Sequence, residues 1–125
     1  MSRMSKIRAE HTFSQEEFDR FAHLSGDNNP IHVDAEFSSG TRFGATVAHG
    51  MLLFSRLRGM VEQLLPGESL IDQSLMFEAP TFAGDRMLFS ATIVKSDMSG
   101  TEVEIEVIRV LDGVVTCKGR CRVAA

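Results

Sequence analysis

Two residues in one short loop have the types needed for acid–base chemistry. Asp27 and His32 stand five positions apart in Gly26-Asp27-Asn28-Asn29-Pro30-Ile31-His32. A carboxylate and an imidazole placed this way can hold one water between them, one group taking a proton while the other gives one, and an imidazole titrates near ~6.5. Pro30 stiffens the backbone between the two and so fixes their separation. Spacing alone is equally compatible with an Asp in a turn followed by a surface His. Downstream, Ala48-His49-Gly50-Met51 opens an apolar stretch. A glycine in the first turn of a helix offers unpaired N–H groups and the positive end of the helix dipole to a developing oxyanion. Without a Cβ it also lets a carbonyl approach closely. Gly50 kept for close packing of helix on sheet is the plainer reading. His49 is either a third polar group of the site or a residue that caps and packs. Ser55, the hydroxyl inside the helix, can bond back to a carbonyl one turn earlier. Arg56 and Arg58 read as a solvated stripe, or as contacts to the phosphate of a bound nucleotide.

The elements that must position these residues follow from periodicity. Residues Met1 to Glu10 read as a frayed start or an edge strand. Ser14 to Leu24 reads as a short helix: Ser14 and Glu17 fit a capping box, and Phe18, Phe21 and Ala22 form its buried stripe. Gly26 ends it and Pro30 forbids its continuation. Val33 to Thr46 reads as a loop, or a loop with one turn, anchored by Phe37 and Phe43. Val47 to Leu65 is expected to be a long helix, apolar on most of its circumference and therefore central, stopped by Pro66-Gly67. The remainder reads as strands: Leu70 to Glu78, Arg86 to Ser96, Thr101 to Leu111 and Val114 to Val123. The third alternates cleanly, with Val103, Ile105, Val107 and Arg109 on one face. Asp97 to Gly100 and Asp112-Gly113 supply the turns. The expected class is α+β, an antiparallel sheet around one long apolar helix. The outer sheet face and the loop stay partly uncovered, so dimerisation is a natural completion.

At 125 residues the chain suits one domain. A net charge of -4 with no basic, aromatic-interleaved run argues against a nucleic-acid surface. The polar start MSRMSKIRAEH lacks the apolar core of a signal peptide, and no apolar run is long enough to span a membrane. Cys117 and Cys121 would lie on one face of a strand, roughly 13 Å apart at about 3.3 Å per residue, too far for a disulfide. Reduced thiols in a cytoplasm are the expectation. No phosphate-binding glycine loop, nucleophile elbow or zinc-binding helix motif is present.

Ser25-Gly26-Asp27-Asn28-Asn29-Pro30-Ile31-His32, with Ala48-His49-Gly50-Met51 downstream, resembles the MaoC-like (R)-specific enoyl-CoA hydratases, also called type 2 hydratases or hydratase/dehydratases. Gln73-Ser74-Leu75-Met76-Phe77, followed by Pro80 and Gly84-Asp85, is similar to the family's strand after its central helix. The resemblance runs from about Thr12 to Val123. It implies the hot-dog fold and a homodimer whose sheets join edge to edge, with higher assembly left open. It implies hydration of a trans-2-enoyl thioester of CoA or acyl-carrier protein to the (R)-3-hydroxyacyl thioester, and the reverse dehydration. Asp27 and His32 would hold and activate the water. The Gly50 N–H would bind the thioester oxygen, and Asn29, with His49 and Ser55, would shape the site. No metal or redox cofactor is implied. Family members can carry a serine about two turns into the central helix, where this chain has Arg58. A hot-dog thioesterase would place a carboxylate on or beside that helix, which here carries only Glu62, near its far end. A non-catalytic acyl-CoA-binding or subunit-pairing module is the remaining alternative.

Overall fold

The computed structural model describes residues 5–124. In chain order the elements are β1 (Lys6–Thr12), α1 (Gln15–Ser25), α2 (Pro30–Val33), α3 (Ala35–Ser39), α4 (Gly50–Leu64), β2 (Ser69–Phe77), β3 (Arg86–Asp97), β4 (Gly100–Arg109) and β5 (Val115–Ala124). The five strands form one antiparallel sheet in the order β1-β3-β4-β5-β2. One face of the sheet packs on α4, the hot-dog arrangement that the sequence led us to expect. The expected edge strand at the start is β1; the first four residues of that expectation lie outside the described ones.

The core is the alternating face of the sheet closed by one helix. Across the register Ala9, Phe89, Val107, Cys117 and Phe77 form a single row through all five strands. Leu53, Phe54, Leu57, Met60, Val61 and Leu64 of α4 are buried against that face. Leu57 is wholly buried, and truncating such a leucine to alanine costs about 2–5 kcal/mol. Arg109 does point inward: its guanidinium bonds Asp85 at 3.1 Å and the Pro80 carbonyl, holding the 80–85 turn to the end of β4.

Three expectations need correction. The central helix begins at Gly50, not Val47, because Val47 is committed to an extended bridge with Phe82 and Ala48 N–H donates to Thr81 O at 2.8 Å. The stretch after Gly26 is not a plain loop: Pro30 starts α2 at the first helical position, where its missing N–H costs nothing. Phe37 does not anchor this region, being half-exposed, and Phe43 is only partly covered. The anchor is Ser38, fully buried, whose hydroxyl donates to Ile31 O at 3.2 Å.

α1 is as expected, with the reciprocal Ser14–Glu17 capping box and Gly26 at φ 80° closing its C-terminus. β2 is exposed along most of its length, including Ile71, Met76 and Phe77.

Cys117 and Cys121 are both free and fully buried. Burial pushes the Cys117 thiol up to about 11 and raises that of Cys121 as well. Thiolates are the reactive species, so the folded protein at pH about 8 should resist alkylation for hours and take up label at both positions once denatured. Mass spectrometry of the labelled protein reads this directly; fast labelling of the native form would contradict the packing.

Candidate functional site

The site is assembled by backbone hydrogen bonds between three segments. Asn29 caps α2, its side-chain oxygen accepting from Ile31 N–H at 3.1 Å, which sets the turn that carries His32. Val47 N–H donates to Ile31 O at 3.0 Å, and His32 Nδ1 in turn donates to Val47 O at 2.8 Å. The segment just before α4 is thereby stitched to the Asp27–His32 loop on one side and to Thr81-Phe82 on the other. Gln15, in the first turn of α1, adds a further tie: its amide nitrogen donates to His32 O at 2.9 Å, and its oxygen accepts from Thr46 Oγ1 at 2.5 Å.

A carbonyl oxygen only accepts, so the bond to Val47 O places the His32 proton on Nδ1 and leaves Nε2 with a free lone pair. That nitrogen faces Asp27 Oδ2 at 3.8 Å. Two acceptors at this separation are too far apart for a direct hydrogen bond, and a single water can donate to both. The Asp27 carboxylate is more than half exposed, while the His32 ring is mostly covered.

His49 is buried and lies flat against His32, ring centroids 3.8 Å apart and planes 22° apart. Its Nε2 donates to the Asp27 backbone carbonyl at 2.8 Å, and the edge of Phe21 closes its other side. One ring therefore touches both loop residues. Burial pushes the His49 imidazole below the ordinary histidine range, against the hydrogen bond to the Asp27 carbonyl, and nearby His32 pushes it further down. With its proton fixed on Nε2, Nδ1 is a buried lone pair without a hydrogen-bond partner among the described residues.

Asp27, His32 and His49 each bring a potential metal-ligating atom within 4.8 Å of the others. The stacked rings argue against a metal cage. Their nitrogen lone pairs lie in nearly parallel planes and do not converge on one ion, and one nitrogen of each ring is already donating to a carbonyl.

Gly50 is the first residue of α4, with His49 in the capping position and no side-chain cap on the helix. The N–H groups of this first turn have no helical carbonyl behind them and point with the helix dipole. The glycine also has a packing reason: a Cβ here would meet the Phe77 ring at 2.7 Å. Phe77, half-exposed at the end of the five-strand row, thus lies over the helix start.

These residues open on a cavity of about 720 Å³. Asp27, His49 and Gly50 line it together with Phe21, Met51, Leu53, Phe77, Ala79, Pro80 and Thr81. Most of the lining is apolar, with the polar groups gathered at the α4 start, as expected of a small-molecule site.

Of the expected site residues, His32 and Asn29 are joined to the Asp27 loop but do not line the cavity, and Ser55 is not brought here. Ser55 is exposed, its hydroxyl donating to Leu52 O at 2.7 Å, and it is not on the cavity wall. Arg58, at the position of the family's helix serine, also stays outside; it lies near Glu62 at 3.7 Å and the Glu68 carbonyl at 3.5 Å. Arg56 sits over the Phe89 ring instead of reaching a ligand. The basic residue on the wall is Arg42, which lies in the connector and carries no periodic signal. Gln15 and Phe77 were likewise unread as site residues, since their importance lies in contacts to residues 17 or more positions away.

The sheet packed on α4 is a hot-dog fold, and Asp27, His32 and His49 lie together beside the start of that helix. The chain belongs to the MaoC like domain family, which matches residues 2–114. It is 43% identical over 84 residues to the (R)-specific enoyl-CoA hydratase of Aeromonas caviae, a match covering 66% of this chain and 63% of that protein. It is 34% identical over 82 residues to the mitochondrial 3-hydroxyacyl-[acyl-carrier-protein] dehydratase of Arabidopsis thaliana, covering 66% of this chain and 49% of that protein. The matches thus span about half to two-thirds of these curated relatives. In structure, the chain superposes on the A. caviae (R)-hydratase involved in PHA biosynthesis with a TM-score of 0.88 at 30% identity, covering 99% of this chain and 96% of that one.

His49 carries a pH prediction. The native state keeps the ring neutral below the usual range, whereas the unfolded chain takes up a proton near ~6.5, so the unfolded state binds more protons and stability falls as pH drops through that value. Thermal melts between about pH 8 and about pH 5.5 should show Tm falling, and the fall should be smaller in His49→Gln. Parallel pH profiles for the two proteins would refute a neutral buried His49.

Proposed function

We propose that this chain is a single-domain hydro-lyase that adds water to trans-2-enoyl thioesters of CoA or acyl-carrier protein, giving (R)-3-hydroxyacyl thioesters, and runs the reverse dehydration. The observation that carries this reading is the pair of facing acceptors, His32 Nε2 and Asp27 Oδ2, with Asp27 and Gly50 on the wall of one cavity and the Gly50 N–H unpaired among the described residues. A water donating to both acceptors keeps an oxygen lone pair free for the substrate. That oxygen adds to C3 as His32 Nε2 takes one water proton. The C2=C3 electrons move toward the thioester, and its oxygen gains negative charge that the Gly50 N–H and helix dipole stabilise. Collapse of this enolate takes a proton at C2 from the Asp27–His32 pair, so one water has crossed the double bond. Conjugation to the thioester already activates C3, so the reaction calls for no metal or redox cofactor. The (R) outcome rests on the hydratases that the chain resembles.

A homodimer is part of the proposal. The outer edge of β2 is unpaired among the described residues and displays Leu70, Ile71, Met76 and Phe77. Pairing β2 with its copy would satisfy the edge and cover that apolar strip. Two free, buried thiols suit the reducing cytoplasm that we assign it. Among the described residues no helix is long and apolar enough to cross a membrane.

Loss of the conjugated enoyl absorbance of crotonyl-CoA, with assignment of product configuration, tests the reaction. Asp27→Asn should lower kcat by about 10²-fold or more with little change in Tm, and His32→Ala should lower kcat at least as much while also lowering Tm, because it removes the bond to Val47 O and the stack on His49. Wild-type rates in both variants would remove the pair from the mechanism. Failure of the wild type on short, medium and long enoyl thioesters of both carriers would favour a binding or subunit-pairing module, and release of free thiol would indicate a thioesterase. Gly50→Ala should also lower activity, because its Cβ displaces Phe77; unchanged kinetics would show that neither the ring nor the close approach matters.

A further inference from the structure

Among the described residues, Arg42 is the one lysine or arginine on the cavity wall, and it is exposed. Its guanidinium lies over the Phe43 ring, 4.8 Å from the centroid. It has no carboxylate partner among the described residues, in contrast to Arg58 with Glu62, Arg86 with Glu10 and Arg109 with Asp85. Of the two carboxylates that share the wall with it, Glu78 is engaged by Lys118 at 3.1 Å and Asp27 faces His32 at 3.8 Å. Stacking on a ring face holds the cation in place while leaving its N–H donors, which point outward in the guanidinium plane, unused. The cavity therefore presents one pre-positioned, unneutralised donor fork.

Its place in the fold decides what it meets. The acyl group must reach the buried His49 and the start of α4, whereas Arg42 stands in solvent in the connector before them. The part of a thioester left at that level is the carrier. A pantetheine arm ends in a phosphate ester, both in CoA and on a carrier protein, and a guanidinium fork matches phosphate geometry. On a chain of net charge -4, a local cation is also what draws a polyanionic carrier to this opening.

We propose that Arg42 binds the phosphate at the end of the pantetheine arm and so sets affinity for the carrier without taking part in the chemistry. The inference rests on the thioester reading given above.

The test uses crotonyl thioesters of pantetheine, 4′-phosphopantetheine and CoA, with wild type, Arg42→Ala and Arg42→Lys. In the wild type, kcat/KM should favour phosphopantetheine over pantetheine. That ratio should collapse about tenfold or more in Arg42→Ala through KM, with kcat little changed, and recover in part in Arg42→Lys. The CoA-to-pantetheine ratio should fall in parallel. An unchanged phosphopantetheine-to-pantetheine ratio overturns the proposal, and a loss confined to CoA assigns Arg42 to the nucleotide instead, which also overturns it. Calorimetric binding of unacylated phosphopantetheine and pantetheine separates this idea from the hydratase reading. If the wild type hydrates nothing yet binds the phosphorylated arm through Arg42, the reaction is wrong and the phosphate site stands. If it hydrates all three with no Arg42 dependence, the reaction stands and the phosphate site falls.

Discussion

The hydrogen bond from His32 Nδ1 to the Val47 carbonyl, 2.8 Å long, is the contact on which the rest of the site depends. It fixes the tautomer, turns Nε2 toward Asp27 and joins the Asp27–His32 loop to the residues that lead into α4. The bond requires Val47 to be extended, because a helical Val47 would direct its carbonyl along the helix axis. The price is a helix that starts three residues later than its apolar pattern suggests. That late start puts Gly50, and not Val47, at the N-terminus of the helix, on the cavity wall.

His49 occupies the junction of these constraints. Its ring supports His32 from one face, and its Nε2–H holds the carbonyl of Asp27. A protonated ring at this buried position would face a second imidazole, so the packing favours the neutral form. The same stack argues against convergence of the two histidines on a metal ion. A single packing decision therefore supports proton chemistry in this cluster and disfavours coordination chemistry.

The sheet reaches the site through Phe77. The row across the five strands ends there at a half-exposed residue, and its ring lies over Gly50. Gly50 is thus constrained twice, by the ring from the β2 side and by the backbone approach that an oxyanion needs. β2 is also the exposed edge, so a partner covering it would sit directly beside the cavity.

Much of this was legible in the chain by itself. The capping box of Ser14 and Glu17, the stop at Gly26, the alternation of Val103, Ile105 and Val107, and the apolar α4 are local patterns whose physics acts within a few residues. The residue types of Asp27, His32 and Gly50 made them candidates for acid–base and oxyanion chemistry while leaving turn, surface and packing readings open, and Asn29, which caps α2, was legible only through the family resemblance. The tertiary structure alone decided the contacts between distant segments. It placed Ser55 and Arg58 outside the cavity, since on a helix a shift of a few residues rotates a side chain to another face. It replaced Phe37 with buried Ser38 as the anchor, because the Ser38 hydroxyl adds a second donor to the Ile31 carbonyl that Val47 N–H already holds, a contact between segments that apolar patterning does not record. It brought Gln15, Phe77 and Arg42 to the site from segments that no local pattern links to it, for a cavity wall is set by where strands and connectors cross, and a one-dimensional pattern carries no record of that crossing.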